Sequence, residues 1–189
     1  MERLLALDRQ LFHGIYDLGG ESLRWLFVGI THLGSHGGVW ILMAFGLSIF
    51  GRERVRRVGL AMAAMLAFNV LVNELILKHG VGRTRPWKAL GVTLHDTAVN
   101  PHGYSFASGH AVCAFAGCLI LGAALPRWRW PLLVLAALIA LSRVVLGAHY
   151  PSDIIVGSLL GVLAGPPIAR WVRVAPERHE AVTTEPDLK

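Results

Sequence analysis

The chain alternates long apolar runs with short charged stretches, and this pattern sets the first expectations. Residues 1–18 place Leu4, Leu7, Leu11, Ile15 and Leu18 at helical spacing with charges between them. This suits an amphipathic helix lying at a membrane surface. Residues 23–33 are apolar but too short to span alone, and Gly34-Ser35-His36-Gly37-Gly38 interrupts them before a second run over 39–50. The two runs read either as two short packed helices or as one broken span. The run over 58–77 is long enough to cross a bilayer. A polar stretch over 79–106 follows, rich in Gly, Pro, His and Trp, of a length that in a compact protein marks function or disorder. Further spans are predicted over 109–125, 132–146 and 154–171, with breaks at Pro126-Arg127-Trp128-Arg129-Trp130-Pro131 and over 147–151.

The expected fold is all-α: a polytopic transmembrane helical bundle of about five or six membrane helices plus the N-terminal amphipathic helix. Residues 1–172 form one integral-membrane domain, and residues 173–189 form a polar, disordered tail. Composition agrees, with 54% hydrophobic and only 16% charged residues and a mean hydropathy of +0.53.

Charge then supplies the topology. Arg52, Arg54, Arg56 and Arg57, then Arg127 and Arg129, then Arg170 and Arg173, are separated by pairs of spans and share one side. By the positive-inside rule that side is cytoplasmic. The net charge of +6 is therefore topological, and no basic stripe with interleaved aromatics supports nucleic-acid binding. Cys113 and Cys118 lie in one apolar run at neither a disulfide nor a zinc spacing, and read as packing residues. No cleavable signal is expected, because Asp8, Arg9 and His13 interrupt the first apolar residues.

The same alternation gathers three polar stretches on the outer face. The first holds Lys78, Arg83 and Arg85. Charges at a span end read as a functional site, or as Lys78 and Arg83 snorkelling to lipid headgroups. The second is Ser108-Gly109-His110 at the start of a span, either a simple helix cap or an anion site at a helix N-terminus. The third runs from Ser142-Arg143 to His149 and Asp153. Asp153 lies one turn from His149 and can orient its ring, or it can serve only as a dipole partner in the first turn. Taken together, cations, helix N-termini, a serine and two histidines on one face suit a phosphoryl group, whose transfer needs positioning and charge neutralisation.

The pattern Lys-x6-Arg-Pro, Ser-Gly-His and Ser-Arg-x5-His-x3-Asp, running from Lys78 to Asp153, resembles the three signatures of the type-2 phosphatidic acid phosphatase superfamily. Its members share a helical core with vanadium-dependent haloperoxidases. Ala107 stands where the family usually has Pro, a change expected to affect loop rigidity more than chemistry. The resemblance implies that His149 is a nucleophile forming a phosphohistidine, that Asp153 orients it, and that His110 protonates the leaving group and then activates water. It implies that Lys78, Arg85, Arg143, Ser108 and the Gly109 N–H hold the phosphate oxygens, with no metal or other cofactor. The implied substrate is a lipid phosphate or diphosphate such as undecaprenyl diphosphate, phosphatidylglycerol phosphate or phosphatidic acid, in a cell membrane with the site on the outer side. Phosphate transfer to another acceptor remains open, as does a phosphate-lipid receptor or transporter. A bell-shaped pH profile is expected, with His149 neutral and His110 protonated. A metal-dependent hydrolase built on His79, His95, Asp96, His102 and His110 is the competing enzyme reading, though those spacings match no compact ligand motif.

Overall fold

The computed structural model describes residues 2–34, 38–95 and 103–174, and side chains as far as residue 170. Among the described residues all regular structure is helical. Four stretches are long and apolar enough to cross a membrane: Glu21–Phe50, Glu53–Ala89, Pro126–Val145 and Pro151–Arg170. A shorter apolar helix, Gly109–Ala124, accompanies them.

The N-terminal helix α1 (Glu2–Leu18) turns Asp8, Phe12 and Tyr16 inward at i, i+4 and i+8. The leucine stripe faces outward: Leu4 is 72% and Leu18 80% exposed. Phe12 stacks on Tyr16 and also meets Tyr150, so α1 is pinned against the bundle by aromatic contacts. Helices α2 (Glu21–Gly34) and α3 (Gly38–Phe50) follow, on either side of residues 35–37, which lie outside the described residues. Next come α4 (Glu53–Phe68), a π-helical segment (Asn69–Leu77) and the short α5 (Lys78–Val81). The run read as one plain α-span therefore widens over its last nine residues. A π turn shifts side-chain directions, and here it brings Asn69, Asn73, Glu74 and Lys78 to neighbouring positions.

Gly82 at φ 61° ends α5 in the left-handed conformation, where a side chain would be strained. The polar stretch that follows contains the short α6 (Pro86–Ala89), begun by a proline at its first position. The last three helices are α7 (Gly109–Ala124), α8 (Arg129–Val145), which follows a 3-10 turn at Pro126–Trp128, and α9 (Pro151–Val174). Helix α9 continues two residues past the domain boundary expected at 172, and the rest of the tail lies outside the described residues.

Contact between α7 and α9 sets the centre of the bundle. A Cβ at Gly157 would lie 2.6 Å from the Ser108 carbonyl oxygen, and one at Gly161 2.6 Å from that of Val112. Gly165 continues the row against Leu119. In lipid, helices gain little from hydrophobic burial and associate through such close backbone packing at small residues. Around this seam lie Met62, Met65, Ile120 and Ile139, with Cys113 and Cys118 buried among them as packing residues.

Candidate active site

The α7–α9 seam leads directly into a buried polar centre. At its end the Ser108 N–H donates to the Asp153 carbonyl at 3.1 Å, locking the start of α7 to the first turn of α9. Ser108 caps α7, its Oγ accepting from the Ala111 N–H at 3.5 Å, and it is fully buried beside Ala107. The simple cap is thus present, and it leaves the neighbouring N–H groups of the first turn at a ready anion-binding position. Gly109 is needed for packing: a Cβ there would lie 2.8 Å from Glu74 Oε1 and 3.3 Å from the Asn69 side chain. His110 follows on the same turn, half-buried, with its Cδ2 3.7 Å from where a Cβ on Gly34 would be.

His149 sits in the turn between α8 and α9, shaped by Gly147 at φ 82°. That glycine packs against the Thr93 carbonyl and the Tyr16 ring. The His149 N–H and the Ala148 N–H both donate to the Arg143 carbonyl, which fixes the loop. The imidazole is 2% exposed. Its Nε2 lies 3.2 Å from Arg85 Nη1, and its Nδ1 lies 3.7 Å from Asp153 Oδ2. Ser105 completes that second side, with Oγ 3.5 Å from Nδ1 and donating to Asp153 Oδ2 at 2.5 Å. Asp153 also reaches back to accept the Tyr150 N–H at 2.9 Å, half of a capping box for α9. Burial pushes the His149 pKa down to about 3, with Arg85 and Arg143 acting in the same direction and Asp153 opposing them. The ring is therefore held neutral, with an available lone pair.

The cations are buried around this ring. Arg85 donates from Nε to the Gly103 carbonyl at 3.0 Å and from Nη1 to the Ala148 carbonyl at 3.2 Å. Arg143 is 1% exposed and donates to Thr31 Oγ1 at 2.5 Å, which brings α2 into the site. Lys78 is 7% exposed and bonds both oxygens of Glu74, at 2.7 and 2.9 Å. Buried charges of this kind are costly without partners and mark a site rather than scaffold.

Of the two alternatives for Arg83, a buried polar network or a lipid headgroup, the side chain takes the first. It does not snorkel. Its guanidinium bonds Asp8 Oδ2 and Asp153 Oδ1, each at 2.6 Å, and lies 3.9 Å over the Tyr150 ring. Five polar partners were not singled out from the sequence as site residues: Asp8, Thr31, Glu74, Ser105 and Ser152. Asp8 was legible only as an interruption of an apolar run, while Glu74 carried a signal as a carboxylate one turn before Lys78 within a span.

The residues of the metal-hydrolase reading go to separate neighbours. His79 Nδ1 lies 2.9 Å from the Glu74 carbonyl, and His95 Nε2 lies 3.1 Å from the Tyr16 hydroxyl. Asp96 and His102 lie outside the described residues. Among the described residues no three His, Cys, Asp or Glu side chains gather to hold a metal.

Comparison with known proteins places the chain in a family. The chain is 33% identical over 161 residues to an undecaprenyl-diphosphatase of Sulfolobus acidocaldarius, covering 85% of this chain and 76% of the relative. It is 38% identical over 139 residues to a decaprenylphosphoryl-5-phosphoribose phosphatase of Mycobacterium tuberculosis, covering 72% and 73%. The structure superposes on a transmembrane PAP2-type phosphatidylglycerolphosphate phosphatase from Bacillus subtilis with a TM-score of 0.76 at 23% identity, covering 94% of this chain and 90% of that one. The family model described as the PAP2 superfamily matches residues 36–176, three quarters of the sequence and all the signature residues, so the chain belongs to the PAP2 superfamily as a multi-pass membrane phosphatase.

Proposed function

We propose that this lipid phosphatase removes a phosphate from a polyprenyl phosphate or diphosphate, through a phosphohistidine on His149, at the outer face of the membrane. The observation that carries the reading is the setting of His149: a buried neutral imidazole with Arg85 at Nε2 and the Ser105–Asp153 pair at Nδ1. A receptor for phosphate has no use for an oriented, neutral nucleophile. An enzyme that attacks phosphorus needs one.

In the proposed reaction, Lys78, Arg85, Arg143 and the N–H groups at the start of α7, Gly109 among them, take the phosphoryl oxygens, with Ser108 capping that turn. These groups neutralise the charge that spreads over the oxygens in the transition state. His149 Nε2 attacks phosphorus as the bond to the leaving oxygen breaks, and His110 gives that oxygen its proton. Asp153 stabilises the positive charge that appears on the imidazole. His110, now neutral, takes a proton from water. The resulting hydroxide attacks phosphorus, the P–N bond breaks, and inorganic phosphate leaves with His149 restored. No step calls for a metal, because the cations supply the charge neutralisation a metal would supply.

The outer location is supported by helix direction. Lys78, Ser108, Arg143 and Asp153 stand at one end of their helices, and Arg52, Arg129 and Arg170 at the other. Asp153 and Arg170 stand seventeen positions apart along α9, ~26 Å of helix, most of a bilayer core. The polyprenyl class is supported by the two relatives described above, both named for polyprenyl substrates.

The test is phosphate release by purified protein on undecaprenyl diphosphate, a polyprenyl monophosphate, phosphatidylglycerol phosphate and phosphatidic acid. The highest kcat/KM is expected on a polyprenyl substrate. Preference for a glycerolipid would overturn the substrate class, and release from none of the four would overturn the reaction.

A further inference from the structure

We infer that Asp8, on the N-terminal helix, is a positioning residue for catalysis: it clamps Arg83 and Ser152 and through them holds Asp153 in register beneath His149. The inference rests on the proposed role of His149, and extends the site to a helix that carries none of the family's signature residues.

Asp8 uses both of its oxygens on the far end of the chain. Oδ1 accepts the Ser152 N–H at 2.9 Å, and Oδ2 accepts the Ser152 hydroxyl at 2.6 Å. The first of these satisfies one of the N–H groups that the opening turn of α9 leaves without an intrahelical acceptor. A carboxylate is also the right charge at a helix N-terminus. Oδ2 accepts in addition from Arg83 Nη2 at 2.6 Å. Asp8 is only 7% exposed, so these bonds are made out of water, where a carboxylate persists only if it is well paired.

Arg83 carries the constraint inward. Its Nη1 donates to Asp153 Oδ1 at 2.6 Å and to Ser152 Oγ at 2.7 Å, while its planar fork lies over Tyr150. Its backbone carbonyl accepts the Ser105 N–H at 2.8 Å. Ser105 in turn donates to the second oxygen of Asp153. Both oxygens of the carboxylate beside His149 are therefore set by groups that Arg83 places. Asp8 is what keeps Arg83 extended between two carboxylates instead of collapsing onto one. Without the Asp8 charge, the guanidinium is free to pivot onto Asp153 alone. That would move the carboxylate and draw its negative charge away from the imidazole it supports. None of the atoms that would touch substrate belongs to α1, so binding should be spared while turnover suffers.

The experiment uses the full-length protein in detergent micelles with farnesyl diphosphate as probe, comparing wild type, Asp8→Asn, Asp8→Glu and His149→Ala. Asp8→Asn keeps size and shape but loses the charge. Its kcat is expected to fall about 10- to 100-fold, the scale of a small misplacement of a catalytic group, with KM within about twofold. Asp8→Glu restores the charge and is expected to recover at least part of the loss. Asp8→Asn with wild-type kcat beside an inactive His149→Ala would overturn the clamp and leave the active-site reading standing. Equal losses in Asp8→Asn and Asp8→Glu, tracking a lowered melting temperature, would also overturn it, since a purely structural contact behaves that way. Near-normal turnover in His149→Ala would overturn the active-site reading itself.

Discussion

Replacing Ser105 with alanine removes one hydroxyl from the centre of the site and nothing from its rim. Ser105 is fully buried, and its Oγ–H donates to Asp153 Oδ2 at 2.5 Å while its oxygen lies 3.5 Å from His149 Nδ1. The direct distance from Nδ1 to Asp153 is 3.7 Å, longer than the 3.5 Å to the Ser105 oxygen, so the hydroxyl sits between ring and carboxylate and supports their pairing. A hydrogen bond to a charged group contributes ~1.5–3 kcal/mol. At 1.36 kcal/mol per factor of ten, that is about a 10- to 150-fold loss if the bond acts fully in the transition state. Asp153 keeps its bonds from Arg83 and from the Tyr150 N–H, so the lower part of that range is expected. Ser105 is not proposed to contact phosphate, and KM should stay within about twofold. The assay is steady-state phosphate release from a lipid diphosphate in micelles, with folding of the variant checked by thermal melting. A kcat within about threefold of wild type in a well-folded Ser105→Ala protein would refute that support.

Three other expectations follow from the same structure. A leucine at Gly157 would drive its side chain into the Ser108 carbonyl, where even a Cβ lies at 2.6 Å, and should separate α7 from α9. Melting should fall by several degrees and activity be lost with it; a stable, active Gly157→Leu protein would contradict the seam. Because the His149 pKa is depressed to about 3, the ring stays neutral as pH falls below 6.5, and the acid limb of kcat/KM should lie well below that value. The descending limb is set by proton loss from the leaving-group acid, and an acid limb centred near 6.5 would show that His149 is not held neutral. Turnover should survive EDTA dialysis unchanged, and loss that added zinc or magnesium restores would revive the metal-dependent alternative.

Much of the fold could be read from local pattern. The runs at 132–146 and 154–171 largely coincide with helical stretches long and apolar enough to cross a membrane, while the helix over the 109–125 run is shorter. Alternation of the arginine clusters puts Lys78, Ser108, Arg143 and Asp153 at one end. The α1 helix was legible as amphipathic. Its buried face was not, because an aspartate on an interfacial helix and one docked into a bundle have the same spacing. The partners of Asp8 are 75 and 144 residues away in sequence, and Thr31 lies 112 residues from Arg143. Nothing local encodes such pairings. Snorkelling of Arg83 stayed open as an alternative for the same reason, since its carboxylate partners Asp8 and Asp153 are distant in sequence. The π-helical segment left a faint trace, Asn69, Asn73 and Glu74 inside an apolar run, that periodicity at 3.6 residues passes over. The row Gly157, Gly161 and Gly165 was not read from the sequence, and nothing local says that α7 is the helix it meets.

His149 is proposed to give its Nε2 lone pair to phosphorus, and trapping the phosphoenzyme puts that role to the test. Wild-type protein and His149→Ala would be mixed with substrate carrying a labelled phosphate and quenched within one turnover in alkali, where phosphohistidine persists. Label is expected on the wild type, stable in base, released by acid and mapping to His149, with none on the variant. Label of equal amount on His149→Ala, or a wild-type burst of free phosphate with no labelled protein at any time, would contradict it.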